Sequence, residues 1–239
     1  MASENETRWI ALLAFHELTL LDLVGPLQIL RGLDEPFRTA VVAEEVKPIL
    51  TDTGVHIIPQ MTFADLGRPY VIIIPGGPGS VAAMANHPLQ NYLKQAAESA
   101  VVVASVCTGA LPLAAAGLLE GRRVSVHWAY AREVELLGAR YERARFTEDG
   151  KFLTSAGVSA GIDMALHLAA KIAGPEISQR IQLGVEYDPQ PPFGGIDWTQ
   201  VGEKELTRQR RGGTGARLAQ AHELLAPRPD LLRRLGLGR

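Results

Sequence analysis

The sequence predicts an α/β fold, a three-layer sandwich in which helices cover both faces of a mostly parallel central sheet. From Trp9 to about Leu183, short apolar runs alternate with segments of helical period, which is the pattern of a parallel sheet. Several of the apolar runs are continuous, as expected for strands that are covered on both faces. With 239 residues, 46% of them hydrophobic and 21% charged, the chain can bury one large core.

The predicted elements follow one another in a regular order. Strands are expected at residues 9–14, 38–43, 55–58, 71–74, 101–106, 123–126 and 152–154. Helices are expected at residues 23–31, 89–99, 110–119, 129–136, 161–172 and 176–183, with Gly138 and Gly174 just beyond two of the helix ends. The pair Asp149-Gly150 predicts a tight hairpin turn.

The chain divides by composition into a body and a tail. Residues 1–8 are expected to be a disordered N-terminus, residues 9–199 one domain, and residues 200–239 a basic helical tail. Residues 1–199 hold 15 Lys and Arg against 22 Asp and Glu, whereas residues 200–239 hold 9 against 4. The tail should follow a Pro- and Gly-rich loop at residues 188–198 and contain a helix around residues 215–225. Its run Arg208-Gln209-Arg210-Arg211 is typical of a solvated face or a frayed end, so no nucleic-acid partner is predicted.

Composition also limits the location of the protein. No apolar run approaches the roughly 18 residues that a membrane span needs, and the first residues lack a signal-peptide pattern. The single cysteine, Cys107, cannot form an intramolecular disulfide, which agrees with a reducing compartment. We therefore expect a cytoplasmic protein with no membrane partner.

Cys107 lies where a buried strand runs directly into a helix. The segment Ser105-Val106-Cys107-Thr108-Gly109 predicts a sharp elbow that holds its apex residue in a strained conformation above the carboxyl edge of the sheet. The positive end of the following helix is expected to lower the pKa of a thiol at this position. The alternative is that Cys107 is simply a small buried apolar residue; the elbow favours a nucleophile.

Two further segments are predicted to reach the same sheet edge. A strand ends in Pro75-Gly76-Gly77, and we expect the Gly77 N–H and the Thr108 N–H to form an oxyanion-type pocket beside the sulfur. The segment Leu20-Leu21-Asp22-Leu23 places one carboxyl group among apolar residues. Burial should raise the pKa of Asp22 and let it share a proton with the sulfur, although Asp22 could instead cap the helix at residues 23–31.

Five segments together resemble the ThiJ/PfpI superfamily, within the class I glutamine amidotransferase-like, or flavodoxin-like, fold. They are FHELTLLDLVGP, VIIIPGGPGS, VVVASVCTGALPLAAAGLLEGRR, HWAY and LTSAGVSAGIDMAL, and the likeness extends from about Trp9 to Trp198. With QLGVEYDPQPPF, the set is most similar to the isocyanide hydratases of that superfamily.

The resemblance implies a role for several residues. Cys107 matches the nucleophile, Asp22 its carboxylic-acid partner and Thr108 a further residue of the site, while Val158 should line the pocket. His127 could pair with the cysteine as a base, but a structural role beside Trp128 is favoured.

Other branches of the superfamily fit less well. Peptidase-like members carry histidine after the cysteine, where this chain has Thr108. Glyoxalase- and deglycase-like members use a glutamate near the first strand, for which Glu17 is available.

The function implied is hydration of an organic isocyanide to an N-substituted formamide through a thioimidate on Cys107. No metal or organic cofactor is expected, because this reaction needs neither, and the sequence lacks the ligand cluster that zinc would require. The resemblance implies a small-molecule substrate and a homodimer. The alternatives are a ligand-sensing module related to AraC-like regulators and a glyoxalase- or deglycase-like enzyme acting on reactive aldehydes.

Overall fold

The computed structural model describes residues 6–238 and contains strands and helices in alternation. The strands are β1 (Arg8–Leu13), β2 (Phe37–Ala43), β3 (Ile49–Leu50), β4 (His56–Ile57), β5 (Met61–Thr62), β6 (Val71–Ile74), β7 (Val102–Ser105), β8 (Arg123–Val124), β9 (Arg140–Tyr141), β10 (Phe146–Asp149) and β11 (Phe152–Ser155). The helices are α1 (Leu20–Leu30), α2 (Phe63–Leu66), α3 (Ser80–Ala83), α4 (His87–Ser99), α5 (Ala110–Ala115), α6 (Ala131–Leu136), α7 (Ala160–Ala173), α8 (Pro175–Gly184), α9 (Glu203–Arg210), α10 (Gly213–Ala219), α11 (Ala221–Leu224) and α12 (Pro229–Arg234). Of residues 1–8, for which disorder was predicted, residues 1–5 lie outside the described residues, and Arg8 begins β1.

Seven strands form the central sheet, in the order β10-β11-β7-β6-β1-β2-β5. Every neighbouring pair is parallel except β10 and β11, which form an antiparallel hairpin. The hairpin turns at Gly150, whose φ of +63° is the left-handed conformation that glycine adopts without strain. The predicted mostly parallel sheet is therefore confirmed.

Helices cover both faces of the sheet, and the alternation of side chains along β1 shows the two layers. Ala11 and Leu13 belong to a buried apolar cluster with residues of α3, α4, α5 and α6. Ile10 and Leu12 belong to a second cluster with residues of α1, α7 and α8. Successive residues of a strand point to opposite faces, so a continuous apolar strand supplies both cores of the predicted three-layer sandwich.

Two predicted strands lie outside the central sheet. Residues 55–58 contribute only β4, which pairs with β3 in a separate two-stranded ribbon, and both Val55 and Ile58 are exposed. Residues 123–126 contribute only β8, which pairs with β9. There the N–H of Ser125 donates to the Thr154 hydroxyl at 2.8 Å, so a side chain binds the main-chain group that would extend the strand.

The C-terminal segment differs from the single helix expected at residues 215–225. It forms four short helices, α9 to α12, along residues 203–234. Leu218, Leu225 and Leu231 are buried in the same cluster as α3 and α5. Arg210, expected on a solvated face or frayed end, instead forms an ion pair with Glu133 and donates to the Ala129 carbonyl at 3.3 Å. The segment is thus packed against the sheet domain. Among residues 6–238, no helix has the length and apolar character needed to cross a membrane.

Removal of a buried leucine side chain from the C-terminal segment should destabilise the whole fold. Leu225 has 0% of its surface exposed, so we expect Leu225→Ala to lower the free energy of unfolding by about 2–4 kcal/mol in urea denaturation. Ile58→Ala, at a residue 64% exposed, should change it by no more than about 0.5 kcal/mol. An equally small effect of Leu225→Ala would contradict the packing described.

Candidate active site

The turn from β7 into α5 holds Cys107 in a strained conformation. Cys107 has φ of +56°, which costs a residue with a side chain free energy. The turn is fixed because the Cys107 N–H donates to the Ala156 carbonyl at 3.0 Å and the Gly109 N–H to the Val106 carbonyl at 2.9 Å. A Cβ on Gly109 would lie 2.3 Å from the Ile74 carbonyl oxygen, so only glycine lets α5 approach β6 this closely. The predicted elbow is present.

Asp22 lies inside the first turn of α1 and is fully buried. Its Oδ2 accepts the Gly76 N–H at 2.9 Å, whereas Oδ1 is buried without a hydrogen-bond partner among the described residues. Helix α1 starts at Leu20, and Asp52 accepts the Leu20 N–H at 3.0 Å. The capping alternative for Asp22 is therefore wrong, because Asp52 binds the free end of the helix and the Asp22 carboxyl group faces the glycine loop.

The two buried groups influence each other's ionisation. Burial raises the pKa of Asp22 to about 7, and the hydrogen bond from Gly76 and the contact with the Cys107 thiol oppose that rise. Burial and the charge of Asp22 raise the pKa of the Cys107 thiol, while the N–H groups of Val158 and Thr108 and the Thr108 hydroxyl oppose it. The expected lowering of the thiol pKa is wrong because loss of solvent outweighs these donors. Cys107 becomes a thiolate most readily when Asp22 takes its proton.

The glycine loop after β6 does not form the oxyanion pocket that the sequence suggested. The Gly77 N–H donates to the Thr108 hydroxyl at 2.9 Å, and the Gly76 N–H is bound by Asp22. Both donors are therefore already used. The N–H groups that face the sulfur are those of Thr108 and Val158, so Val158 lies at the predicted position but contributes its main chain.

His127 packs as a neutral imidazole. Its ring lies 5.8 Å from the ring of Trp128 and 5.6 Å from that of Tyr130 between centroids. Its Nδ1 accepts the Ala129 N–H at 3.3 Å, and burial lowers the pKa of His127 to about 4. These contacts support the structural role over that of a base for the cysteine.

Glu17 is bound by the C-terminal segment. The Arg217 guanidinium holds its carboxylate through two contacts, one of them from Nε at 2.8 Å. This pair joins residues 200 positions apart, which no local sequence pattern could indicate. Glu17 is therefore engaged by an arginine, whereas the carboxyl group whose charge raises the pKa of the Cys107 thiol is that of Asp22.

Three residues of the site were not predicted from the sequence. Ser80 and Thr214 are buried hydroxyl residues next to Thr108. Burial raises the pKa of Tyr130, and the nearby Cys107 charge adds to that rise. Tyr130 lies in the segment HWAY, which offered a signal, whereas Thr214 lies in the tail among glycines and arginines. Within residues 6–238, no group of three or more His, Cys, Asp and Glu side chains could hold a metal ion.

Comparison with known proteins places this arrangement in a family. The DJ-1/PfpI family model matches residues 8–171. The chain is 39% identical over 184 residues to an isonitrile hydratase of Pseudomonas putida, covering 77% of this chain and 80% of the relative. It is 28% identical over 218 residues to the HTH-type transcriptional regulator CdhR of Pseudomonas aeruginosa, covering 89% of this chain and 62% of the regulator.

A solved structure agrees with the sequence comparisons. A ThiJ/PfpI family protein from Pseudomonas syringae superposes with a TM-score of 0.79 at 29% identity, covering 96% of this chain and 89% of that one. The cysteine elbow of this chain lies at the carboxyl edge of the sheet in this same fold. We conclude that the chain belongs to the DJ-1/PfpI family and has its class I glutamine amidotransferase-like fold.

Proposed function

We propose that the protein is a cofactor-free hydro-lyase that hydrates an organic isocyanide to an N-substituted formamide in the cytoplasm. The observation that carries this proposal is the fully buried carboxyl group of Asp22, whose Oδ2 accepts the Gly76 N–H, whose pKa is raised by burial to about 7, and whose charge raises the pKa of the Cys107 thiol. Such a carboxyl group exchanges protons near neutral pH. The identity with an isonitrile hydratase supports the choice of substrate class.

The first half of the proposed reaction forms a covalent intermediate. The sulfur of Cys107 attacks the terminal carbon of R–NC as its proton moves to Asp22, and Asp22 then protonates that carbon. The product is a thioimidate, R–N=CH–S, on the chain. The N–H groups of Thr108 and Val158 and the Thr108 hydroxyl face the sulfur and stabilise its negative charge.

The second half releases the formamide. Water adds to the thioimidate carbon with Asp22 as the base, and Asp22 passes that proton to the nitrogen. The carbon–sulfur bond then breaks, giving R–NH–CHO, and the remaining proton from water restores the thiol. The thiol proton ends on carbon, one water proton ends on nitrogen and the other water proton ends on sulfur, and Asp22 carries the first two of these protons.

Two other functions can be distinguished from isocyanide hydration, one by a residue of the site and one by an assay. In a glyoxalase- or deglycase-like enzyme, a glutamate would support Cys107, but Glu17 is bound by Arg217. A ligand-sensing role is favoured by the similarity to a transcriptional regulator. That role needs no turnover, so formamide production separates it from the hydratase.

Loss of the thiol should abolish hydration. We expect Cys107→Ala and Cys107→Ser to lower formamide production from p-nitrophenyl isocyanide by at least about a hundredfold, because the covalent step needs the sulfur. Chromatography of the product measures this effect, and circular dichroism serves as the control for folding. Near-normal turnover by Cys107→Ala would refute the mechanism.

Replacement of Asp22 should separate activity from stability. Asp22→Asn keeps an oxygen for the Gly76 N–H but cannot carry the proton, so hydration should fall by roughly a hundredfold or more. The pKa of Asp22 rises from 3.8 to about 7 on folding, so the folded chain retains the proton between these values while the unfolded chain loses it. Stability of the wild type therefore falls as pH rises through this window.

Asparagine does not ionise, so the Asp22→Asn variant does not lose stability in this pH range. The stability of Asp22→Asn relative to wild type should increase by about 2–4 kcal/mol between pH 4 and pH 8 in urea denaturation. Asp188→Asn, at an exposed carboxyl group, should follow the wild type at each pH. A pH-independent difference in stability between Asp22→Asn and the wild type would contradict the raised pKa of the buried Asp22.

Loss of activity in Glu17→Gln with normal activity in Asp22→Asn would favour the glutamate-supported alternative.

We also propose that the protein is a homodimer that acts on a small molecule. Four apolar side chains near the end of α8 and in the following loop are exposed: Leu183 (77%), Val185 (37%), Phe193 (98%) and Ile196 (66%). Exposed apolar groups of this kind are frequent at protein–protein interfaces. Light scattering should therefore give about twice the chain mass, and Phe193→Ser should shift it toward the monomer. A monomeric wild type at micromolar concentration would contradict the dimer.

A further inference from the structure

A cavity opens at the carboxyl ends of β1 and β2. Its volume is about 300 Å³, which lies within the range of small-molecule sites in proteins. Ala14, directly after β1, and Ala43, the last residue of β2, line it together with Leu89 of α4. Ligands of open α/β sheets bind at this edge. Neither Asp22 nor Cys107 is among the lining residues, so the cavity is separate from the candidate active site.

The floor of this cavity is apolar. The two alanines and Leu89 are each no more than 3% exposed, and the half-buried rings of Phe15 and Phe63 also line it. The Phe63 ring is stacked on the ring of Tyr92, with 4.4 Å between the centroids, which fixes its orientation. A floor of this kind suits an apolar body such as a single aromatic ring.

Hydrogen bonds within the chain hold the walls of the cavity in place. The Glu17 N–H donates to the Leu50 carbonyl at 2.8 Å, and the Gly79 N–H donates to the Glu17 carbonyl at 3.0 Å. These bonds join the turn after β1 to β3 and to the segment after the glycine loop. Phe15 belongs to that turn and Ile49 to β3, and both line the cavity. A preformed site of this kind loses little free energy to ordering when a ligand binds.

The mouth of the cavity carries a carboxylate that no cation neutralises. Glu44 and Glu45 both line the cavity and are exposed. Glu45 pairs with Lys47 at 2.6 Å. Among residues 6–238, Glu44 forms no ion pair, and its Oε2 accepts only the side-chain amide of Asn86, at 3.5 Å. His16 is the other titratable residue of the lining. The excess of negative charge favours a cationic ligand.

We propose that this cavity is a second ligand site, which binds a small primary ammonium compound with an aromatic body. The ring lies on the apolar floor beside Phe15 and Phe63, and the ammonium group pairs with Glu44 at the mouth. Burial of the ring supplies most of the affinity. Because Glu44 is exposed, its ion pair contributes modestly and determines mainly the preference for a cation. The site is independent of the proposed isocyanide hydration.

The test uses 2-phenylethylammonium as the probe and measures dissociation constants by isothermal titration calorimetry at pH 7. Three comparison compounds each change one feature: 2-phenylethanol lacks the charge, ethylammonium lacks the ring, and 3-phenylpropanoate reverses the charge. We expect a Kd on the order of 0.1–1 mM for the probe. The alcohol should bind about fivefold more weakly, and ethylammonium and 3-phenylpropanoate at least about twentyfold more weakly.

Variants of the lining residues locate the binding. Glu44→Gln should weaken binding of the probe about fivefold and leave binding of 2-phenylethanol within about twofold. Glu98→Gln, at an exposed glutamate of α4 outside the cavity, is the matched control and should change neither. Ala43→Leu fills the cavity and should abolish binding of both compounds. If Ala43→Leu does not fold, Ala43→Val gives the same comparison with a smaller side chain.

The elbow is excluded as the binding site by Cys107→Ala, which should bind the probe within about twofold of wild type. Loss of binding in that variant would overturn the proposal, and so would the absence of any heat of binding at millimolar probe. Equal affinity for the probe and the alcohol, or an equal loss in Glu44→Gln and Glu98→Gln, would also overturn it. Probe binding that depends on Glu44 and Ala43, in a protein that makes no formamide, would support this site and refute the hydratase function.

Discussion

The close approach of the glycine loop after β6 to the cysteine elbow is the constraint on which the site depends. A Cβ on Gly76 would lie 2.5 Å from the Thr108 nitrogen and 2.9 Å from Asp22 Oδ2, both far too close for a real side chain. Glycine therefore allows three segments from different parts of the chain to meet at one sheet edge. The same approach lets the Gly76 N–H bind Asp22 and the Gly77 N–H bind Thr108. One steric requirement thus positions the carboxyl group, the hydroxyl and the thiol together.

Burial of the site from solvent determines the pKa values of its acid and its thiol. Asp22 is 0% exposed and Cys107 6% exposed, so water stabilises neither charge. The acid becomes easier to protonate near neutral pH, and the thiol becomes harder to ionise. The nearby N–H groups offset this only in part. If the thiol proton passes to Asp22, the thiolate does not lie beside a second negative charge. The protonation state of Asp22 therefore influences the ionisation of Cys107.

Much of this arrangement could be predicted from the sequence because it depends on local patterns and on the geometry of parallel sheets. Continuous apolar runs indicate strands covered on both faces, and the carboxyl ends of such strands share one edge. These two rules are enough to predict that Asp22, Gly76 and Cys107 meet. The partners of individual donors were not predictable in this way: that Asp52 binds the start of α1, and that Thr108 binds the Gly77 N–H, depends on side-chain packing. Arg217 and Thr214 reach the site from the far end of the chain, where no periodic pattern marks them.

The proposed mechanism depends on a covalent bond between the sulfur of Cys107 and an isocyanide carbon. Rapid acid quenching during turnover of p-nitrophenyl isocyanide, followed by intact-protein and peptide mass spectrometry, detects that bond directly. We expect a fraction of the chain to be heavier by one isocyanide, with the added mass on the peptide that contains Cys107. Formamide production with an unmodified chain at every quench time, or with the added mass on another residue, would show that the mechanism is wrong.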